Sequence, residues 1–221
     1  MMIRMNTALF LAFMAAACSG GPGDSGPESG HKSGEAAVSE LQKQAVLPAK
    51  VDTSPVLLVL GGAISAARGL APEASYAAIL QNRLDGSGTP LRVFNASISG
   101  ETVAGALERL PVLLAQPLQR AIIEAGQSDE ARGTGPGAFG RDVLKLLQAI
   151  RSSYPQASVL VLPSAHAAGY RNAINEAAGK VEGVAVSGLL LEAGPSFRPD
   201  DVGLQHRLGE ELFFVIERAG R

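Results

Sequence analysis

From Val51 onward, hydrophobic and polar positions alternate in blocks of two kinds. Val56–Leu60 is an unbroken run of five aliphatic residues, the pattern of a strand buried on both faces in a parallel sheet. Similar short runs recur at Leu91–Ala96, Ala121–Glu124, Ser158–Leu162 and Val184–Ser187. Between and after them lie segments with helical spacing: Ser75–Leu84, Val103–Leu114, Arg141–Ser153, Gly169–Ala178 and Gln205–Arg218. In the third of these, Val143, Leu144, Leu146, Leu147 and Ile150 form one stripe; in the last, Leu208, Leu212, Phe213 and Ile216 do. Strand–helix alternation of this kind predicts an α/β fold, a three-layer α/β/α sandwich around a five-stranded parallel sheet with right-handed crossovers.

Gly61 and Gly62 end the first strand with a sharp turn. In open parallel sheets, ligands sit at that edge. The residues in the turn, Gly62 and Ala63, carry no reactive group.

The N-terminal segment differs in composition. Met1–Asn6 contains Arg4, and Thr7–Ala17 is an apolar run closing on three alanines before Cys18. This is a secretory signal, and at about eleven residues the run is too short to span a bilayer. Small residues directly before a cysteine resemble a bacterial lipobox, which implies cleavage and acylation at Cys18; the alternative is an ordinary signal peptide with an incidental cysteine. Ser19 after Cys18 resembles the sorting signal for the outer membrane, on its periplasmic face. Two or more acyl chains would then hold the protein at the membrane. The expected organisation is a signal at 1–17, a lipidated Gly-, Ser- and Pro-rich tether at 18–50 and a folded domain at 51–221. A flexible tether of that length reaches about 30 Å r.m.s., and Glu40–Ala45 forms at most a transient helical turn.

Composition narrows the function classes. The chain has 221 residues, 46% hydrophobic and 18% charged with a net charge of −2, so it lacks the basic footprint of a nucleic-acid binder. No Gly-Lys-Ser/Thr loop follows the first strand, and no cofactor motif is present. Cys18 is the sole cysteine and cannot form an intramolecular disulfide. His166 follows the fourth strand without a second ligand at metal spacing; it reads as a residue of the same pocket or as a solvent-facing loop histidine. Gly133 to Gly140 reads as a flexible loop beside the site, a candidate lid. Asn95 opens a glycosylation sequon, discounted at the end of a buried strand.

Several segments resemble one family. Leu60-Gly61, Ile64-Ser65-Ala66 and Gly69-Leu70 resemble the opening block of the SGNH (GDSL) hydrolases, in the branch of bacterial arylesterases and lysophospholipase/thioesterases. Asn95-Ala96-Ser97-Ile98-Ser99-Gly100-Glu101-Thr102 resembles the second block. Glu124-Ala125-Gly126-Gln127-Ser128-Asp129 stands where the family has Glu-Leu-Gly-Gly-Asn-Asp, and Asp201 with Leu204 where it has an Asp and a His three residues apart. The resemblance implies the flavodoxin-like SGNH fold and an acyl-ester hydrolase site. It also assigns the positions: Ala63 for the nucleophilic Ser, Gly62 for the neighbouring Asp, Gly100 for the oxyanion-hole Gly, Ser128 for the Asn, Asp201 for the Asp and Leu204 for the His. Nucleophile and base are both missing. In serine hydrolases, losing either one costs about 10⁶ in turnover.

Three readings follow. In the first, a noncatalytic, lipid-anchored protein binds a small acyl or glycan ligand, or an envelope protein, using Ala63, Gly100, Ser128 and His166. In the second, Ser65, His206 and Asp201 form a relocated triad in an active esterase. Against it, Ser65 is expected to cap the helix that follows it and His206 to lie on a surface helix. In the third, the protein is a structural envelope lipoprotein.

Overall fold

The computed structural model describes residues 53–192 and 198–219. The signal, Cys18, the tether and the segment Glu40–Ala45 lie outside the described residues.

Five parallel strands form one sheet: β1 (Val56–Leu60), β2 (Arg92–Asn95), β3 (Leu118–Ala125), β4 (Ser158–Pro163) and β5 (Val184–Val186), in the order β2-β1-β3-β4-β5. β1 lies between β2 and β3, pairing Leu58 with Phe94 on one side and with Ala121 on the other. The helices are α1 (Tyr76–Ser87), α2 (Val103–Leu113), α3 (Gln127–Ala131), α4 (Pro136–Ser153), α5 (Ala168–Ala178), α6 (Leu189–Glu192) and α7 (Val202–Ala219), with a short 3₁₀ turn at Pro72–Ala74.

The aliphatic run of β1 is buried throughout because each face meets its own apolar layer. Val56, Leu58 and Leu60 pack with Val103, Leu110, Phe139, Leu146, Leu147 and Ile150 of α2 and α4. Leu57 and Val59 point the other way, into a cluster with Tyr76, Leu80 and Leu84 of α1 and Leu204, Leu208, Leu212 and Ile216 of α7. The strand period of two thus divides one run between two cores.

Helix starts follow local chemistry. The Ser75 hydroxyl accepts the Ala78 N–H at 3.2 Å to open α1, and Thr102 accepts Gly105 N–H at 3.3 Å in α2. Pro136 occupies the first turn of α4, where its missing N–H costs nothing. That corrects the expectation of a flexible loop or lid over Gly133–Gly140: Pro136–Gly140 is helical and Phe139 is fully buried.

β3 also starts three residues before the expected Ala121. Gln119 and Arg120 break the apolar run, but Leu118 and Arg120 pair with β1. Arg120 Nη1 then donates to the Ile216 carbonyl at 2.6 Å, in the last turn of α7. α3 and α6 are too short to leave a periodic signal in the sequence.

Candidate functional site

The turn after β1 stands at the C-terminal edge of the sheet; side chains from three elements hold its backbone, and one from a fourth holds the Ser65 hydroxyl. Glu124, near the end of β3, accepts the N–H groups of Gly62 and Ser65 on Oε2, at 3.1 and 2.8 Å. Asn95, ending β2, donates to the Ser65 carbonyl at 2.8 Å. Gln205, in α7, donates to the Ile64 carbonyl at 2.9 Å and accepts the Tyr76 N–H at 2.8 Å. The Tyr76 hydroxyl of α1 shares a 2.8 Å hydrogen bond with the Ser65 hydroxyl.

Gly61 is required by close approach: a Cβ there would lie 2.6 Å from Glu124 Cβ and 2.9 Å from Ser65 Oγ. Gly100 has φ +82°, a conformation side chains rarely adopt, with open space on its Cβ side. Its carbonyl accepts from Arg132 at 2.9 Å. Arg109 grips Glu101 through Nε and Nη2 and also donates to the Ala96 carbonyl, bracing the loop that carries Gly100.

Below the turn is a cavity of about 20 Å³, lined in part by Gly61, Gly62, Thr102, Glu124, Ser128 and Asp129. Glu124 is 5% exposed; among the described residues its buried Oε1 has no hydrogen bond of ordinary geometry, and the Ser65 and Ser164 hydroxyls lie near enough to the carboxyl to act against the rise in its pKa. Burial pushes its carboxyl pKa above the ordinary value, with the Ser65 N–H foremost among the groups opposing the shift. Asp129 is also raised by burial, and it accepts the Val103 N–H that begins α2. Burial raises the Tyr76 hydroxyl as well, so it stays protonated.

The structure brings some of the expected residues together and separates others. Gly62 and Ser128 line the cavity; Ala63 is the next residue of the turn, half-buried, and its N–H donates to no acceptor among the described residues. Leu204 is not in the cleft: it is 3% exposed and packed into the α1/α7 core. Asp201 is exposed, and its Oδ1 accepts the Leu204 N–H at 3.0 Å, capping α7.

Ser65 is completely buried, and its hydroxyl is engaged by Tyr76 rather than capping a helix; turns follow it, with Ala67 at φ 47°. His206 is exposed on α7, and among the described residues no hydrogen bond joins it to Ser65 or Asp201. His166 is exposed and outside the cavity; its N–H, with that of Ala167, is held by Glu130 at the start of α5.

Motif spacing along the chain does not single out Glu124, Tyr76 or Gln205. A carboxylate closing the apolar run Ala121–Ile123 was the readable signal, since a buried charge needs partners.

The model of the GDSL-like lipase/acylhydrolase family matches residues 59–203. The chain belongs to this family. It is 42% identical over 118 residues to the esterase TesA of Pseudomonas aeruginosa, covering 53% of this chain and 58% of that protein. It is 31% identical over 133 residues to the thioesterase 1/protease 1/lysophospholipase L1 of Escherichia coli, covering 60% and 62%. The chain therefore spans a little over half the length of these curated relatives. Among solved structures, that of TesA superposes with a TM-score of 0.63 at 34% identity, covering 74% of this chain and 98% of that one. An esterase EstA from Pseudoalteromonas, inhibited by monoethylphosphonate, superposes at 0.64 with 25% identity and coverages of 74% and 97%. The five-stranded parallel sheet flanked by helices is the fold of these neighbours.

Proposed function

We propose that this family member binds an acyl ligand at the turn after β1 without cleaving it. The observation that carries the reading is Ala63. The position the family resemblance assigns to the nucleophile holds a methyl group, while its backbone N–H, which donates to no acceptor among the described residues, can receive a carbonyl or carboxylate oxygen. The nearest hydroxyl in the turn, Ser65, faces the interior and is bonded to Tyr76. With no nucleophile and no base, what remains is binding and backbone dipoles, which supply only a small part of an esterase's acceleration. The acyl class is supported by relatives named esterase and thioesterase. We further propose that acylated Cys18 holds the protein at the periplasmic face of the outer membrane, where a glycan or an envelope protein is the alternative occupant of the site.

Kinship to esterases favours a second reading, slow hydrolysis through Ser65, His206 and Asp201. The burial of Ser65 and the capping role of Asp201 weigh against it.

Ester turnover by the purified protein decides between them, with short- and long-chain acyl esters run against buffer and the Ser65→Ala variant. The expected result is a rate equal to buffer. Turnover above buffer that Ser65→Ala abolishes would establish the esterase. A rise in melting temperature with a fatty acid would count against a purely structural role.

A further inference from the structure

The two faces of the sheet are covered unequally. One packs against α2, α4 and α5, the other only against α1, α7 and the four-residue α6. On the second face, beside the last turns of α7, lies a groove of about 300 Å³. Strand register builds its floor: Ile122 pairs with Leu160 and Leu160 with Ala185, so three apolar side chains stand in one row across β3, β4 and β5. The row spans two interstrand spacings, about 10 Å. Val215 and Ile216 of α7 form a wall. Ala185 and Val215 are exposed and Leu160 is half-buried, so among the described residues the groove is open to solvent.

One end of this apolar surface is polar. Arg120 and Ser158 are register partners two residues before Ile122 and Leu160, hence on the same face, and both line the groove. Arg120 Nη1 donates to the Ile216 carbonyl, which holds the guanidinium against the wall. Among the described residues no carboxylate lies within ion-pair distance of it. Glu217, whose charge acts on it from further away, accepts the Thr89 hydroxyl at 2.7 Å. Burial pushes the guanidinium pKa below its ordinary value. A partly desolvated cation without a paired anion favours an acidic group that can reach it.

We infer that this groove binds a single-chain carboxylic acid of medium length, a second acyl site apart from the turn after β1 and independent of what that turn binds. The carboxylate meets Arg120 and the Ser158 hydroxyl, and the chain lies along Ile122, Leu160 and Ala185. An aliphatic floor with one cation and one hydroxyl at its end matches an anionic amphiphile. The volume is at the low end of ligand pockets, roughly 300–1,000 Å³, which suits one chain and not a two-chain lipid.

Calorimetric titration of the purified full chain with decanoate and with 1-decanol tests this. Ala185→Phe fills the groove from an exposed position, and a melting curve verifies the fold. It is expected to weaken decanoate binding at least tenfold. Arg120→Gln is expected to weaken decanoate about tenfold while 1-decanol binds as before, because only the charged contact is lost. Equal weakening of both ligands in Arg120→Gln would assign Arg120 to holding α7 alone and overturn the inference. Unchanged decanoate affinity in that variant would overturn it too. Decanoate binding that survives Ala185→Phe lies elsewhere, the turn after β1 included, and overturns this inference while leaving the proposed function standing. Failure of the unaltered protein to bind decanoate at all counts against both.

Discussion

Glu124 shows how a single residue can be framework and site at once. One oxygen fixes the turn through Gly62 and Ser65, and the residue also lines the cavity below that turn. Because burial raises its pKa, the folded protein keeps this proton to higher pH than the unfolded chain does. Between the ordinary value of 4.5 and the raised one, the folded state binds more protons, so stability falls as pH rises through that window. Asp129, also raised by burial, contributes with the same sign. Glu124→Gln keeps an oxygen for the two N–H groups and removes the ionisation. Melting temperatures across the window are therefore expected to fall less steeply with pH in this variant than in the unaltered protein. Equal slopes would show that Glu124 titrates alike folded and unfolded. Its role was partly legible: a carboxylate closing an apolar run signals a buried, partnered charge. Its partners were not, because Gly62 and Ser65 precede it by about sixty positions and meet it only across the β1–β3 pair.

At the scale of the element, α7 gives structural roles to Asp201 and Leu204, the positions we propose, from the family resemblance, for a catalytic Asp and His. Asp201 spends a carboxylate oxygen on the Leu204 N–H, and Leu204 enters the apolar stripe with Leu208, Leu212 and Ile216. Gln205, beside it, reaches the turn and α1 instead. If Asp201 is a helix cap, Asp201→Ala is expected to cost about 1 kcal/mol of stability in urea denaturation. Asp201→Asn, which retains a capping oxygen, should cost much less. Equal losses in the two variants would point to a need for the charge itself. The helical stripe of α7 was plain from its spacing, as were the stripe of α4 and the aliphatic run of β1. The start of α7 at Val202, three residues before the expected Gln205, was set by the Asp201 cap. Likewise, the first turn of α4 lies under a glycine-rich stretch that reads as a loop until Pro136 and the buried Phe139 are seen in place.

At the scale of the whole molecule, the proposed membrane attachment depends on one atom, the Cys18 sulfur. Cys18→Ser is expected to move the protein from the membrane fraction to the soluble extract after cell fractionation, while loss of binding to a fatty acid is not expected. Unchanged fractionation would remove the lipid anchor from the proposal. Among the described residues no helix is long and apolar enough to cross a membrane, so they offer no spanning helix as an alternative. What the sequence determined by itself was the parallel α/β architecture and the identity of residue 63, an alanine. Strand and helix periods are local, and a methyl group has no chemistry in any fold. What only the tertiary structure decided was the fate of the remaining polar groups. It buried Ser65 against Tyr76, left His206 in solvent, turned Asp201 into a cap and set Glu124 under the turn as an acceptor for two of its backbone N–H groups. Those outcomes depend on burial and on contacts between distant segments, and neither is encoded in spacing along the chain.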